Sequence, residues 1–359
     1  MALQTRLFYV LVLSLSFCVA SYGKPPVPCY FVFGASYYDN GNNNGLVTTA
    51  RSNFLPYGID FPKGATGRFS NGRNTPDFLA KLLGFNSSIP PFAAVKDDKD
   101  MLIGVNYASG SSGIRSETGS HLGARYAMEA QLQHHQRTVS RIGEVLASGN
   151  SSAAKDHLSK CLYSVAMGDN DYVNNYFKPK FYSTSKKYTP EQYASVLVQE
   201  YELQLRTLHD HGARKIALIG IGPLGCAPVV VRKSTGTNGS SYVDEVNNSL
   251  QIFNSKLRPL VDKLNKALAN AKFIYLDAFK IYSSLFSGFK VTNASCCEVI
   301  PGTPACIPLL TACTDRGNHF WWDALHPSEA TNEKFASRLY SSKSSDEAYP
   351  FDISHLIQS

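Results

Sequence analysis

The chain predicts a three-layer α/β/α sandwich around a mostly parallel, flavodoxin-like central sheet. Two observations predict it. Short apolar runs of strand length alternate with longer segments of helical period, the pattern of a sheet covered by helices on both faces. Across 359 residues there is no long Ser/Gly/Pro tract, charge block or internal repeat that would mark a linker, so residues 24–359 read as one domain.

Element by element, Tyr30 to Phe33 is an apolar run ending at Gly34. Asn74 to Gly84 carries a cap residue, a proline in the first turn and a closing glycine, so it reads as a helix. Leu102 to Tyr107 is a further candidate strand, and Ala127 to Ala147 is helical by pattern. Cys161 to Met167 reads as a buried strand running into Gly168. A long amphipathic helix over Pro190 to His211 precedes a strand at Lys215 to Ile219. One helix is expected over Tyr242 to Ala269, a strand over Phe273 to Leu276, and a last helix from Pro327 to about Tyr340. In open sheets of this kind ligands sit beyond the carboxyl ends of the strands. Ser36 follows the first strand, Asn170 follows a middle one, and Asp323 and His326 lie in the loop before the last helix.

A hydroxyl, an imidazole and a carboxylate are the parts of an activated serine nucleophile. The imidazole takes the hydroxyl proton, and the carboxylate fixes the tautomer and stabilises the imidazolium. Asp323 and His326 can bond within one short loop, so only Ser36 has to be brought in by the fold. Such a site also needs donors aimed at the developing oxyanion. The Asn170 amide and the small-residue stretch Asn106 to Gly113 can supply them. That combination points to acyl transfer, most simply ester hydrolysis.

The first residues read as a secretory signal: Arg6, an apolar run from Leu7 to Ala20, then small residues that allow cleavage after Ala20 or Gly23. The run is shorter than the roughly 20 residues that span a bilayer, and no later segment is apolar enough to span. A secreted, extracellular protein is expected. Sequons at Asn86, Asn150, Asn238, Asn247 and Asn293 fit that route. Of the 8 cysteines, Cys18 leaves with the signal, so an odd number remains. Cys296, Cys297, Cys306 and Cys313 are the expected disulfide partners, while Cys161 and Cys226 read as buried thiols. The cysteine cluster lacks paired C-x-x-C spacing, so no metal is expected. The formal charge of +7 is dispersed, with no arginine-rich arm, and offers no nucleic-acid surface.

The blocks Phe31–Asn44, Pro56–Pro62, Thr66–Arg73, Asn106–Gly113, Met167–Tyr176, Gly222–Pro228 and Phe320–Pro327 occur in the order found in a known family. On them the chain resembles the plant branch of the GDSL esterase/lipases, within the SGNH hydrolase superfamily, over about Phe31 to Arg338. The resemblance implies Ser36 as nucleophile, His326 as general base and Asp323 as its orienting carboxylate. It implies an oxyanion hole of Asn170, the Ser36 N–H and a glycine of the second block, Gly110 or, nearly as well, Gly113. The substrate implied is a small-molecule or polymer-bound ester. An acyltransferase using the same triad is an alternative, since no motif encodes the acceptor site; the signature Gly-Asp-Ser-Leu is Gly34-Ala35-Ser36-Tyr37 here, and Ala35 keeps open a second, a catalytically silent lipid- or glycan-binding homologue.

Other features have plainer readings. His134-His135 reads as a solvent-exposed pair on a helix, since adjacent residues face different ways. Asp169 and Asp171 read as structural hydrogen-bonding groups, and Trp321-Trp322 as packing behind the catalytic loop. No G-x-S-x-G elbow, H-E-x-x-H, Walker or dinucleotide pattern occurs, so no cofactor is implied.

Overall fold

The computed structural model describes residues 25–147, 151–234 and 240–359. The signal segment and the sequons at Asn150 and Asn238 lie outside the described residues. Four five-residue strands, β1 (Tyr30–Gly34), β2 (Leu162–Ala166), β3 (Lys215–Ile219) and β4 (Lys272–Leu276), pair in parallel in that order. Nineteen of their twenty positions are buried or half-buried, as expected of strands covered on both faces. A parallel two-stranded ladder of β5 (Val291–Ser295) and β6 (His319–Trp321) stands apart. A short β7 (Ala348–Tyr349) closes the main sheet antiparallel to β4. The expected "mostly parallel" sheet is therefore what forms, and β7 with the helix beyond it extends the chain past its expected last helix.

Helices form where the caps stand. In α1 (Thr75–Leu82) the Asn74 side chain accepts from the Asp77 N–H and Asp77 answers to the Asn74 N–H, with Pro76 in the first turn. The same Asp77 carboxylate takes both arms of Arg68 at 2.6 and 2.8 Å, a bidentate pair that ties the preceding loop to the helix. α2 (Met128–Ala147), α3 (Ser151–Lys160) and α4 (Pro190–Asp210) follow, the last with a Thr189/Gln192 capping box. After α5 (Pro228–Ser234), the single helix expected over Tyr242 to Ala269 is two, α6 (Ser240–Ser255) and α7 (Leu257–Ala267). The break falls at Lys256, three residues before Pro259, whose ring cannot follow an unbroken ladder. α8 (Ala278–Leu285) and α9 (Glu329–Tyr340) complete the set used below. α1, α8 and α9 pack with one another on one side, and α2, α3, α4, α6 and α7 on the other.

The strand expected at Leu102 to Tyr107 is mostly something else. Asp98–Ile103 forms a 3₁₀ turn, and Gly104 (φ 108°) approaches Tyr30 so closely that a Cβ would lie 1.9 Å from its carbonyl oxygen. Beyond it the chain makes single parallel bridges, Val32 with Asn106 and Pro91 with Asn106. The segment thus runs alongside β1 on the side away from β2, so the chain moves outward after β1 and back inward at β2. That reversal puts the crevice at the carboxyl ends of β1 and β2.

Two readings are corrected by packing. Cys161 is not a free thiol but bonds Cys29, joining the start of β1 to the start of β2; the partner was 132 residues away and invisible to local pattern. Cys296–Cys313 and Cys297–Cys306 form within the expected cluster, and Cys226 is the free cysteine among the described residues. His135 is fully buried rather than exposed, because α2 lies on β1 and turns the ring into Phe31, Phe33, Tyr107 and Tyr163. His134 is half-buried and stacks on Phe92 at 4.2 Å.

Burial pushes the His135 imidazole down from 6.5 to about 3. The unfolded ring takes a proton as pH drops through 6.5, whereas the folded ring refuses it. Stability therefore falls on acidification between those values, by up to about 1.4 kcal/mol per pH unit. His135→Phe should flatten that slope, as measured by urea unfolding at a series of pH values from 4 to 7; an unchanged slope would show that the ring is not sheltered.

Candidate active site

The end of β1 is clamped before the serine is reached. The Gln131 side chain, from α2, accepts from the Gly34 N–H at 3.1 Å and donates to the Gly34 carbonyl at 2.9 Å. Ser36 then leaves the strand in a turn closed by Tyr38 N–H to the Ala35 carbonyl. Its hydroxyl meets His326 Nε2 at 2.8 Å, and His326 Nδ1 meets Asp323 Oδ2 at 2.7 Å. The fold thus brings Ser36, His326 and Asp323 into one hydrogen-bonded row spanning 290 residues of sequence. Ser36 is 6% exposed and His326 4%, while Asp323 is fully buried. A small molecule can touch the serine, but bulk water cannot surround it.

Asp323 is held by more than the histidine. Its Oδ1 accepts from the Leu325 and His326 N–H groups at 2.8 and 2.7 Å, and its Oδ2 from the Tyr57 hydroxyl at 2.6 Å. Burial, with the adjacent carboxylate, keeps the Tyr57 phenol protonated far above its ordinary range, so it stays a donor. The Tyr57 oxygen in turn accepts from the Cys306 N–H at 3.2 Å, within the loop stapled by Cys297–Cys306. The imidazole lies between Phe69 (4.8 Å) and Tyr37 (5.4 Å), and Tyr37 donates to the Leu325 carbonyl at 2.7 Å. Trp321 and Trp322 are buried behind this loop, as expected, and the Trp322 N–H donates to the His326 carbonyl.

Asn170 follows Gly168, whose φ of 122° makes the turn out of β2. Asn174 donates to Asn170 Oδ1 at 2.6 Å, which fixes the amide so that Nδ2 carries its donors; one of them goes to the Ser112 carbonyl at 2.9 Å. The Gly110 N–H is donated to Asp39 Oδ2 at 3.0 Å, because Asp39 also gathers the Gly41 and Asn42 N–H groups and draws the second block onto the first. Burial pushes the Asp39 carboxyl up to about 6 against those donors. Neither Ser36 N–H nor Gly113 N–H has a hydrogen-bond acceptor among the described residues.

The acidic neighbours of Asn170 part company. Asp171 is structural as expected, accepting from the Ile114 and Arg115 N–H groups and Thr118 Oγ1. Asp169 Oδ1 has no partner among the described residues, and the residue lines a cavity of about 30 Å³ together with Ala35 and Tyr37. Asn86 and Asn293 are exposed, as sequons must be. Asn247 is not: in α6 its Oδ1 accepts from the Gly225 N–H at 2.9 Å and its Nδ2 points at Cys226 Sγ, so a glycan there would cost those contacts.

Comparison with known proteins places the chain in a family. The model of the GDSL-like Lipase/Acylhydrolase family matches residues 30–339. The chain belongs to that family. A GDSL esterase/lipase of Arabidopsis thaliana is 49% identical over 347 residues, covering 95% of this chain and 94% of its own. A second from the same plant is 45% identical over 357 residues, covering 98% and 96%. An extracellular lipase structure from Streptomyces rimosus is 13% identical, with coverage of 86% and 96% and a TM-score of 0.33, too distant to add to the assignment. As a GDSL hydrolase, the protein is a serine-type carboxylic ester hydrolase of α/β fold. No helix among the described residues is long and apolar enough to cross a membrane.

Tyr57 and Asn174 were within blocks read from the sequence but had no role there, and Gln131 carried no signal at all. Tyr57→Phe strips one donor from a buried carboxylate and one acceptor from the Cys306 N–H. A stability loss of about 1–3 kcal/mol is expected, read by urea unfolding.

Proposed function

We propose that Ser36 is the nucleophile of this GDSL hydrolase, His326 its general base and Asp323 the carboxylate that orients the ring. The observation that carries this reading is the unbroken row of bonds from Ser36 Oγ through His326 to Asp323. Ser36 Oγ attacks the ester carbonyl carbon and His326 Nε2 takes the hydroxyl proton. The C–O bond to the alcohol then breaks as His326 returns that proton to the leaving oxygen. Water repeats the sequence on the acyl-enzyme and the acid departs. The oxyanion is met by the Ser36 N–H and Asn170 Nδ2. Gly113 is a better third donor than Gly110, whose N–H would first have to leave Asp39.

Ala35 does not argue against activity. No hydrogen bond of the row passes through residue 35, and its methyl group is fully buried beside the small cavity shared with Asp169.

We further read residues 1–23 as a signal that directs the single domain 24–359 out of the cell. The three disulfides suit an oxidising compartment, and Asn86 and Asn293 are the accessible glycan sites. Amino-terminal sequencing of protein collected from the medium checks the cleavage.

The test of the mechanism is hydrolysis of p-nitrophenyl esters from acetyl to long-chain. Ser36→Ala is expected to lower kcat by at least about 10³-fold on every ester, and Asn170→Ala by about 10²–10³. A serine-reactive phosphonate should label wild type and not Ser36→Ala. Equal turnover by folded wild type and Ser36→Ala would overturn the assignment. Tyr57→Phe, which only slackens Asp323, should reduce kcat by about tenfold with little change in KM.

A further inference from the structure

One groove borders the catalytic loop. It is walled by Leu122, Val173, Phe177, Val229, Val246 and Leu325, and its cavity volume is about 130 Å³. Two ties hold it to the site. Leu325 precedes His326, and Asn174, also in its wall, is the residue that orients the Asn170 amide. Val229, at the start of α5, donates its N–H to the Ala324 carbonyl, which fixes α5 against the same loop.

The wall is mostly apolar, with two lysines in it. Lys178 and Lys233 line the same groove. Lys233 is near enough to lower the proton affinity of Lys178, and neither lysine is ion-paired with a carboxylate among the described residues. Two ammonium groups so placed repel each other. Partial burial, and then the neighbouring Lys233, push Lys178 down to about 8. The same field reaches His121 in the groove wall, whose proton affinity falls through burial, Lys178 and Arg125. Lys178 comes four residues after Asn174, and Lys233 four residues after Val229, about 6 Å of helix rise along α5. The cation pair therefore shares its groove with Leu325, the residue before His326, and with apolar side chains.

A surface of that kind has a chemical counterpart. Aliphatic side chains favour an alkyl segment, and two convergent ammonium groups favour a carboxylate or phosphate that can accept from both. We propose that the groove seats the substrate, and that the substrate class is an ester carrying an anionic group separated from the ester carbonyl by a short apolar segment, with the anion held between Lys178 and Lys233. This rests on the esterase reading above, with Ser36 as nucleophile.

Two arms test it separately from that reading. In the first, wild type, Lys178→Met, Lys233→Met and the double variant hydrolyse the p-nitrophenyl hemiester of octanedioate and its neutral ω-methyl ester. Methionine keeps the apolar stem and removes the charge. The expected result is that kcat/KM for the anionic ester drops about tenfold or more in the double variant, while the neutral ester changes by less than about twofold. In the second arm, Ser36→Ala protein is titrated calorimetrically with octyl phosphate and with octanol, with and without the lysine pair. Octyl phosphate should bind more tightly than octanol, and removing the lysines should erase the difference. Thermal melts of each variant confirm that it is folded, and the single variants serve if the double is not.

An anionic-to-neutral ratio that the lysine variants leave unchanged overturns the proposal, as does octyl phosphate binding no better with the lysines than without. If wild type hydrolyses no ester, it is the catalytic reading that fails, and the second arm still decides the groove. A larger loss for octyl phosphate than for the hemiester would assign the pair to a phosphate, and the reverse to a carboxylate.

Discussion

A carboxylate withdrawn from water has to be given donors, and most of the active-site region is arranged around that demand at Asp323. Four reach it: two backbone N–H groups of its own loop, the imidazole it orients, and the Tyr57 hydroxyl. The first two follow from the local turn. The third is the contact on which the proposed mechanism rests. The fourth has to be imported from a segment 266 residues earlier, and it arrives already bonded to the Cys306 N–H in a disulfide-stapled loop. The cluster of Tyr57, Trp322 and the cysteines is a small second core whose polar centre is this one carboxylate.

The serine side of the site is set by a different element. β1 carries no catalytic group, but its last residue is gripped on both its N–H and its carbonyl by Gln131. Since α2 packs on β1 through the same face, the strand end and the helix move as one body, and the turn at Ser36 inherits that rigidity. Asp39 does the equivalent work one turn later, gathering Gly41, Asn42 and Gly110. The family's aspartate beside the nucleophile is absent here, and these two clamps hold the turn without it.

Much of this was legible before the fold was known. Strand and helix segments show in period and caps, which are local: Asn74, Thr189 and their prolines mark helix starts wherever they fall. The residue types of the triad show because Asp323 and His326 are three apart and Ser36 ends a strand. Two misreadings share a cause. Cys161 and His135 each look ordinary in their own window, and each is claimed by a partner far along the chain: Cys29 and the aromatic face of β1. Which second-block N–H is already spent is decided in the same way, by Asp39.

The sequence by itself determined the α/β class, most of the main strands and helices and the residue types that the proposed mechanism uses, because periodicity, capping and residue type act over a few residues. Only the tertiary structure decided which donors are spent and which are left over, why Tyr57 and Gln131 matter, and that two lysines share an apolar groove beside the catalytic loop. Those are properties of distances between segments tens to hundreds of residues apart, and no local pattern encodes them.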